Sequence, residues 1–137
     1  MANAIRLSFA SAAIAATISA ELPPAVYKEL QDRAPEYLVI RVLSVESRQS
    51  DEQESVRFDV TAEARIQEVT RSASGLKAGA VIRISYVTKR HKQPAWVGPS
   101  PVPMLVEGWV GPAFLAKSKE RSTYAPAAGG QSFRVMK

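Results

Sequence analysis

The chain has no cysteine and only one histidine among its 137 residues, and these two shortages remove much of protein chemistry at once. Without cysteine there is no disulfide framework, no thiolate nucleophile and no zinc finger, and the redox compartment leaves no mark on the composition. The lone His91 stands in Lys89-Arg90-His91-Lys92, where neighbouring cations disfavour both an imidazolium and a bound metal ion. A hydrolytic triad would also need an orienting acid, and Asp32, Asp51 and Asp59, the only aspartates, stand in no recognisable motif. Glycine is sparse and forms no phosphate cradle. No Gly-Lys-Ser/Thr follows Gly129-Gly130, and Gly130-Gln131-Ser132 lacks the second glycine of a nucleophile elbow. Asp59 and Glu63 are four residues apart, roughly 13 Å at strand rise and too far for a retaining carboxylate pair. The chain therefore reads as a non-enzyme, with no metal or cofactor expected.

Apolar runs are short, with one exception at the N-terminus. Met1–Ala20 carries a single cation, Arg6, then the Ala-rich stretch Leu7–Ile18, then Ser19-Ala20. That order is the n-region, h-region and small-residue cleavage site of a secretory signal, and cleavage after Ala20 would make Glu21 the mature N-terminus. A membrane span needs about 20 strongly apolar residues, and this segment is too short and too rich in Ala and Ser. A periplasmic or secreted protein, not spanning a membrane, is the expectation.

Acid is scarce in the second half. The formal net charge is +5, but residues 21–68 hold 11 acids against 6 bases, whereas residues 69–137 hold Glu107 and Glu120 against 11 bases. Such asymmetry favours an anionic partner for the basic half, unless the two halves interleave as strands and the charges mix in space.

The mature chain divides into a short helix and a β domain. Glu21–Ala34 predicts a helix, with Pro23 and Pro24 at its start, Val26, Tyr27 and Leu30 on one side, and Pro35 ending it. Tyr37–Val45 is aliphatic on both faces and predicts a central strand. The polar run Glu46–Glu54 predicts a turn or exposed hairpin end. In Ser55–Gln67 the residues Val56, Phe58, Val60, Ala62, Ala64 and Ile66 alternate with polar ones, the pattern of a long antiparallel strand with one face in the core. Ala62 and Ala64 are small enough to let an opposite wall approach. A turn at Leu76–Gly79 and a strand at Val81–Thr88 follow. Pro94, Pro99, Pro101 and Pro103 then predict a long, semi-rigid connection. Short apolar pieces at Met104–Val110 and Ala113–Ala116, a charged turn at Lys117–Arg121, a Gly129-Gly130 turn and a last strand near Gln131–Met136 complete the chain. The pattern implies an all-β fold, a small five-stranded Greek-key barrel of OB type over residues 36–137, after a signal peptide at 1–20 and a helix at 21–35.

The succession of strand Tyr37–Val45, strand Val56–Ile66, the Leu-Lys-Ala-Gly turn at Leu76–Gly79, strand Val81–Val87 and the segment entering Ala113-Phe114-Leu115 resembles the netrin-module and tissue-inhibitor-of-metalloproteinase group of OB-like domains, over roughly Tyr37–Lys117. The tail Tyr124–Phe133 resembles one in uncharacterised bacterial exported proteins. The resemblance implies a fold. It does not imply protease inhibition, because those inhibitors coordinate zinc through an N-terminal, disulfide-held cysteine that this chain lacks.

A binding module is what remains. The candidate ligand-binding residues are Arg83, Lys89, Arg90 and Lys92 for an anion and Trp96 as an aromatic anchor, placed in a loop running to Pro103. An exported protein meets little nucleic acid, so the expected partner is a protein, an anionic glycan or the envelope surface. The alternative is a structural or assembly component that pairs through exposed strand edges. The sequence leaves the oligomeric state open.

Overall fold

A computed structural model describes residues 21–93 and 100–135. The signal peptide predicted for residues 1–20, the candidate anchor Trp96, the prolines at 94 and 99, and Met136 lie outside them.

Helix α1 (Pro24–Arg33) starts where proline costs nothing, since a first-turn N–H has no helical acceptor. It stops at Ala34, whose ψ of 127° is the extended geometry that the following Pro35 imposes. Its exposed side carries the pairs Lys28–Asp32 (3.2 Å) and Glu29–Arg33 (2.7 Å). Its buried side is Tyr27 and Gln31, one turn apart. The Gln31 amide donates to the carbonyls of Gln131 (2.7 Å) and Arg134 (2.6 Å), and Arg71 donates to the terminal helix carbonyls of Gln31 (2.7 Å) and Ala34 (2.9 Å). These bonds fix the helix to the end of the chain and to the sheet.

The rest is one five-stranded sheet: β1 (Glu36–Asp51), β2 (Ser55–Ser72), β3 (Val81–His91), β4 (Val110–Lys117) and β5 (Thr123–Pro126). β1, β2 and β3 form an antiparallel meander. β4 pairs antiparallel with the first part of β1, over Glu36–Arg41. β5 pairs antiparallel with β4 and parallel with β3, so the strands follow one another round a ring. Pro112 interrupts no ladder, because it lies on the part of β4 that has a strand only on its β1 side.

Inside the ring lie Leu38, Ile40 and Val42 from β1, Ala62, Ala64 and Ile66 from β2, Ile82 and Ile84 from β3, and Leu115 from β4. Each fully buried Leu or Ile stabilises the fold by about 1.5–3 kcal/mol. Ala62 and Ala64 are completely buried, as their small size and inward alternation predict. Phe133 enters this core, stacked edge-on against Trp109 at 5.9 Å. Phe114 points the other way, against Tyr37 (4.3 Å) and beneath the helix with Ala34 and Ala128.

Two expectations are corrected and one is resolved. Of the two readings of the polar run 46–54, turn or exposed hairpin end, the second holds: β1 continues to Asp51, and the turn is confined to the residues before Ser55. Hydrogen bonding to β2 supplies the pairing that composition does not advertise. Lys89 and Arg90 belong to β3 and not to the Pro-rich loop, because Ser55, Val56 and Arg57 of β2 extend far enough to pair with them. The last strand is Thr123–Pro126. Gly129–Gln131 is a 3-10 turn, and Phe133 reaches the core from irregular chain.

Candidate binding groove

β4 leaves β1 after Arg41, and β5 pairs with β3 at Arg83 and Ile84. The far parts of β1, β2 and β3 therefore run on together as a three-stranded extension. Alternation puts Val56, Phe58, Val60, Thr88 and Arg90 on the same face as the core. The segment from Ser100 to Leu105 closes over that face. It is held by Thr88 Oγ1 donating to the Val102 carbonyl (2.5 Å), by Tyr86 OH donating to the Pro103 carbonyl (2.8 Å), and by the Leu105 N–H donating to Tyr86 OH (3.0 Å). Burial pushes the Tyr86 phenol above its ordinary pKa, against the opposing pull of the Leu105 N–H.

Between the two walls lies a groove of about 390 Å³, lined by Phe58, Arg90, Pro101, Val102 and Met104 among others. That is the size of a small ligand or side-chain site, with apolar surface from Phe58, Pro101, Val102 and Met104 beside the polar Thr88, Lys89, Arg90, His91 and Gln93. The Arg90 guanidinium stands 5.8 Å from the Phe58 ring centroid, a cation–π geometry that holds the charge at the groove wall.

The predicted site residues divide. Lys89 is among the groove's lining residues, but its ammonium binds the Glu52 carboxylate at 3.0 Å. That contact, together with the Ser55 hydroxyl, holds Glu52 below its usual pKa. Lys92 binds Asp51 (3.0 Å) and the Glu52 carbonyl (2.8 Å). Exposed pairs of this kind contribute little to stability, but they place a carboxylate against two of the three cations in the run. Only Arg90 faces the groove without a carboxylate beside it among the described residues. Arg83 is elsewhere, seven residues or roughly 23 Å from Arg90 along β3, opposite Glu63 in a polar hollow with Ser44, Glu46 and Thr61. His91 also lines the groove.

The alternative in which acidic and basic halves interleave holds at this end of the sheet, since Asp51 and Glu52 lie against the basic end of β3. Sequence reasoning missed Phe58, Val102 and Met104. Phe58 carried a signal, being an aromatic continuing the inward alternation of β2 beyond Val60, where a ring of short strands no longer needs a core residue.

Among the described residues no three His, Cys, Asp or Glu side chains come together as a metal site, and no helix is long and apolar enough to cross a membrane. Comparison with protein-family models, with curated proteins and with solved structures finds no match to this chain.

Proposed function

We propose that this chain is an exported, non-catalytic binding module of OB-barrel type that grips a partner in the groove between Phe58, Arg90 and the 100–105 segment. The OB reading is supported by the strand order β1-β2-β3-β5-β4 with its parallel β3–β5 contact. Export is supported by the n-region, h-region and Ser19-Ala20 exit of Met1–Ala20, which points to the periplasm or beyond.

The observation that carries the binding reading is Arg90 over Phe58, beside the apolar surface of Pro101, Val102 and Met104. Of the partners open to the sequence (protein, glycan or anionic envelope surface), the groove favours a protein segment. A peptide can set an apolar side chain against Phe58, Val102 and Met104 and an adjacent carboxylate against Arg90. A glycan lacks the first, and a lipid surface cannot enter so narrow a space.

Selection from a random displayed-peptide library is the direct test. Enrichment of acidic residues next to large apolar ones is expected, with binding reduced about tenfold by Arg90→Ala and little changed by Lys89→Ala. Enriched peptides indifferent to Arg90→Ala and Phe58→Ala would overturn the reading. The export half is tested separately: intact mass from a cell-envelope fraction should begin at Glu21, and full-length protein confined to the cytoplasm would refute it. A structural or assembly role is the second reading, favoured by the open edge of β1 beyond Arg41.

A further inference from the structure

β1 has a strand on both sides only as far as Arg41, and the last backbone bonds on its β4 side are Val42 N–H to the Trp109 carbonyl and Gly108 N–H to the Val42 carbonyl, both 2.8 Å. From residue 43 to 51, among the described residues, β1 meets β2 on one side and no strand on the other. An open strand edge presents unpaired N–H and C=O groups and is a template for another strand. Proteins commonly blunt such edges with charged side chains. Here the charges are of both signs: residues 44–51 read Ser-Val-Glu-Ser-Arg-Gln-Ser-Asp, with acid and base two positions apart.

We propose that this edge pairs with the same edge of a second copy of the chain, antiparallel and centred on Ser47. Two identical strands related by a twofold axis pair residue i with residue j at a constant sum. Centring on Ser47 places Glu46 opposite Arg48 of the second copy, and Arg48 opposite its Glu46. Val45 then meets Gln49, and Ser44 meets Ser50. Both charges lie on one face of the sheet. Ser47 and Val45 oppose the buried Val60 and Ala62, so Glu46 and Arg48, which oppose Thr61 and Asp59, are on the solvent side.

Neither charge is already spent. Glu46 and Arg48 are exposed, and no intrachain ion pair among the described residues includes either, because Asp59, the residue opposite Arg48, is bound at 3.0 Å by Arg57. The charges also fix the register. Centring one residue earlier sets Glu46 against Glu46, and one residue later sets Arg48 against Arg48, and like charges directly opposite are destabilising. The β-bulge between Val42 and Ser44 stops the pairing at one end, so it covers about seven residues. An interface so short is well below the size of a permanent dimer, so self-association in the range of roughly 10 µM to 1 mM is expected. The inference rests on the sheet alone and is independent of the groove.

Sedimentation analysis of the mature chain tests it through a charge swap. Wild-type protein is expected to dimerise with concentration. Glu46→Arg and Arg48→Glu should each weaken self-association about tenfold or more, since each turns two attractive pairs into repulsive ones. Mixing the two variants should restore a heterodimer, and the double variant E46R/R48E should dimerise like wild type. Both positions are exposed, and far-UV circular dichroism with urea midpoints verifies that each variant is folded. A wild-type chain that stays monomeric at 1 mM, or a dimer unmoved by either reversal, would overturn the proposal. Dimers of both single variants that fail to mix would do the same.

Discussion

Gly130→Ala is the substitution in which a single added carbon should be felt across the molecule. A Cβ at residue 130 would sit 2.6 Å from the Ser100 carbonyl oxygen, 2.7 Å from Ser100 Cβ and 3.0 Å from the Pro101 carbonyl oxygen. Two of the three are backbone atoms, which cannot swing aside as a long side chain can. Reaching an ordinary contact near 3.4 Å requires about 0.8 Å of movement between the two segments. Ser100 is not free to give it. Its N–H donates to the Tyr27 hydroxyl at 3.3 Å and its hydroxyl to Glu21 at 3.1 Å, and both bonds lengthen past hydrogen-bonding range if the residue retreats.

Overpacking of this kind costs about 1–3 kcal/mol, and the two weakened bonds place Gly130→Ala in the upper part of that range. For a domain of this length each kcal/mol lowers the melting temperature by roughly 3–6 °C, so a fall near 10 °C is expected by calorimetry. Gly129→Ala is the control. Its φ of 52° favours glycine, but the new Cβ meets only the Tyr27 ring at 3.4 Å, so the loss should be about 1 kcal/mol. Because Ser100 leads into the groove wall at Pro101 and Val102, only Gly130→Ala should also shift the amide resonances of Thr88 and Val102. Equal stability for Gly130→Ala and wild type, or a larger loss from Gly129→Ala, would refute the close approach of residues 100 and 130.

Tyr86→Phe removes the donor to Pro103 and strands the Leu105 N–H, for a loss of about 1–3 kcal/mol in urea unfolding. Because burial raises the Tyr86 pKa above the ordinary 10.0, its share of stability is intact below pH 10 and lost as pH rises through the folded value. The difference between wild type and Tyr86→Phe should therefore narrow in alkali. Glu36 is fully buried, with its carboxylate accepting from the hydroxyls of Ser72 and Ser74 and from the Ser74 N–H. Glu36→Ala should cost about 2–3 kcal/mol in urea, and Glu36→Gln, which keeps an acceptor, clearly less. The Tyr27 hydroxyl holds the Glu21 carboxyl below the usual 4.5, so its contribution is present above that value and lost as pH falls through the folded one. Melting curves of wild type and Glu21→Gln should differ at pH 6 and converge in acid below the ordinary 4.5; a gap that persists there would disprove the linkage.

The inward positions of β2 were readable because period-2 alternation over twelve residues admits one geometry, and Val60, Ala62, Ala64 and Ile66 all face the core. The helix was readable from its two bounding prolines. The buried face was read less well: Gln31, not Leu30, is the deepest residue besides Tyr27, because its amide finds two carbonyls about a hundred positions away, and local patterning carries no trace of such a partner. The Gly129-Gly130 turn was expected from φ > 0. Gly129 alone has that conformation, and Gly130 answers instead to the approach of Ser100. Among the candidate site residues, Arg83, Lys89 and Lys92 could be recognised as cations but not as separated or partnered ones. Those facts depend on which β2 and turn residues lie across the ladder.

The second half of β1 shows why composition fails where register succeeds. Val42 and Val45 are both inward, three positions apart, and no strict alternation can include both. The bulge between Val42 and Ser44 absorbs the extra residue, so that inward positions change from even to odd numbers at Leu43. Without that shift Glu46 and Arg48 would face Val60 and Phe58, and two charges would enter the apolar side of the extension at a cost of several kcal/mol. With it they face water, while Ser47 and Gln49 lie on the face shared with Phe58. One inserted residue thus converts a stretch that reads as a turn or hairpin end into a strand with a charged outer face. That same shift leaves acid and base side by side on an edge that no other described strand covers.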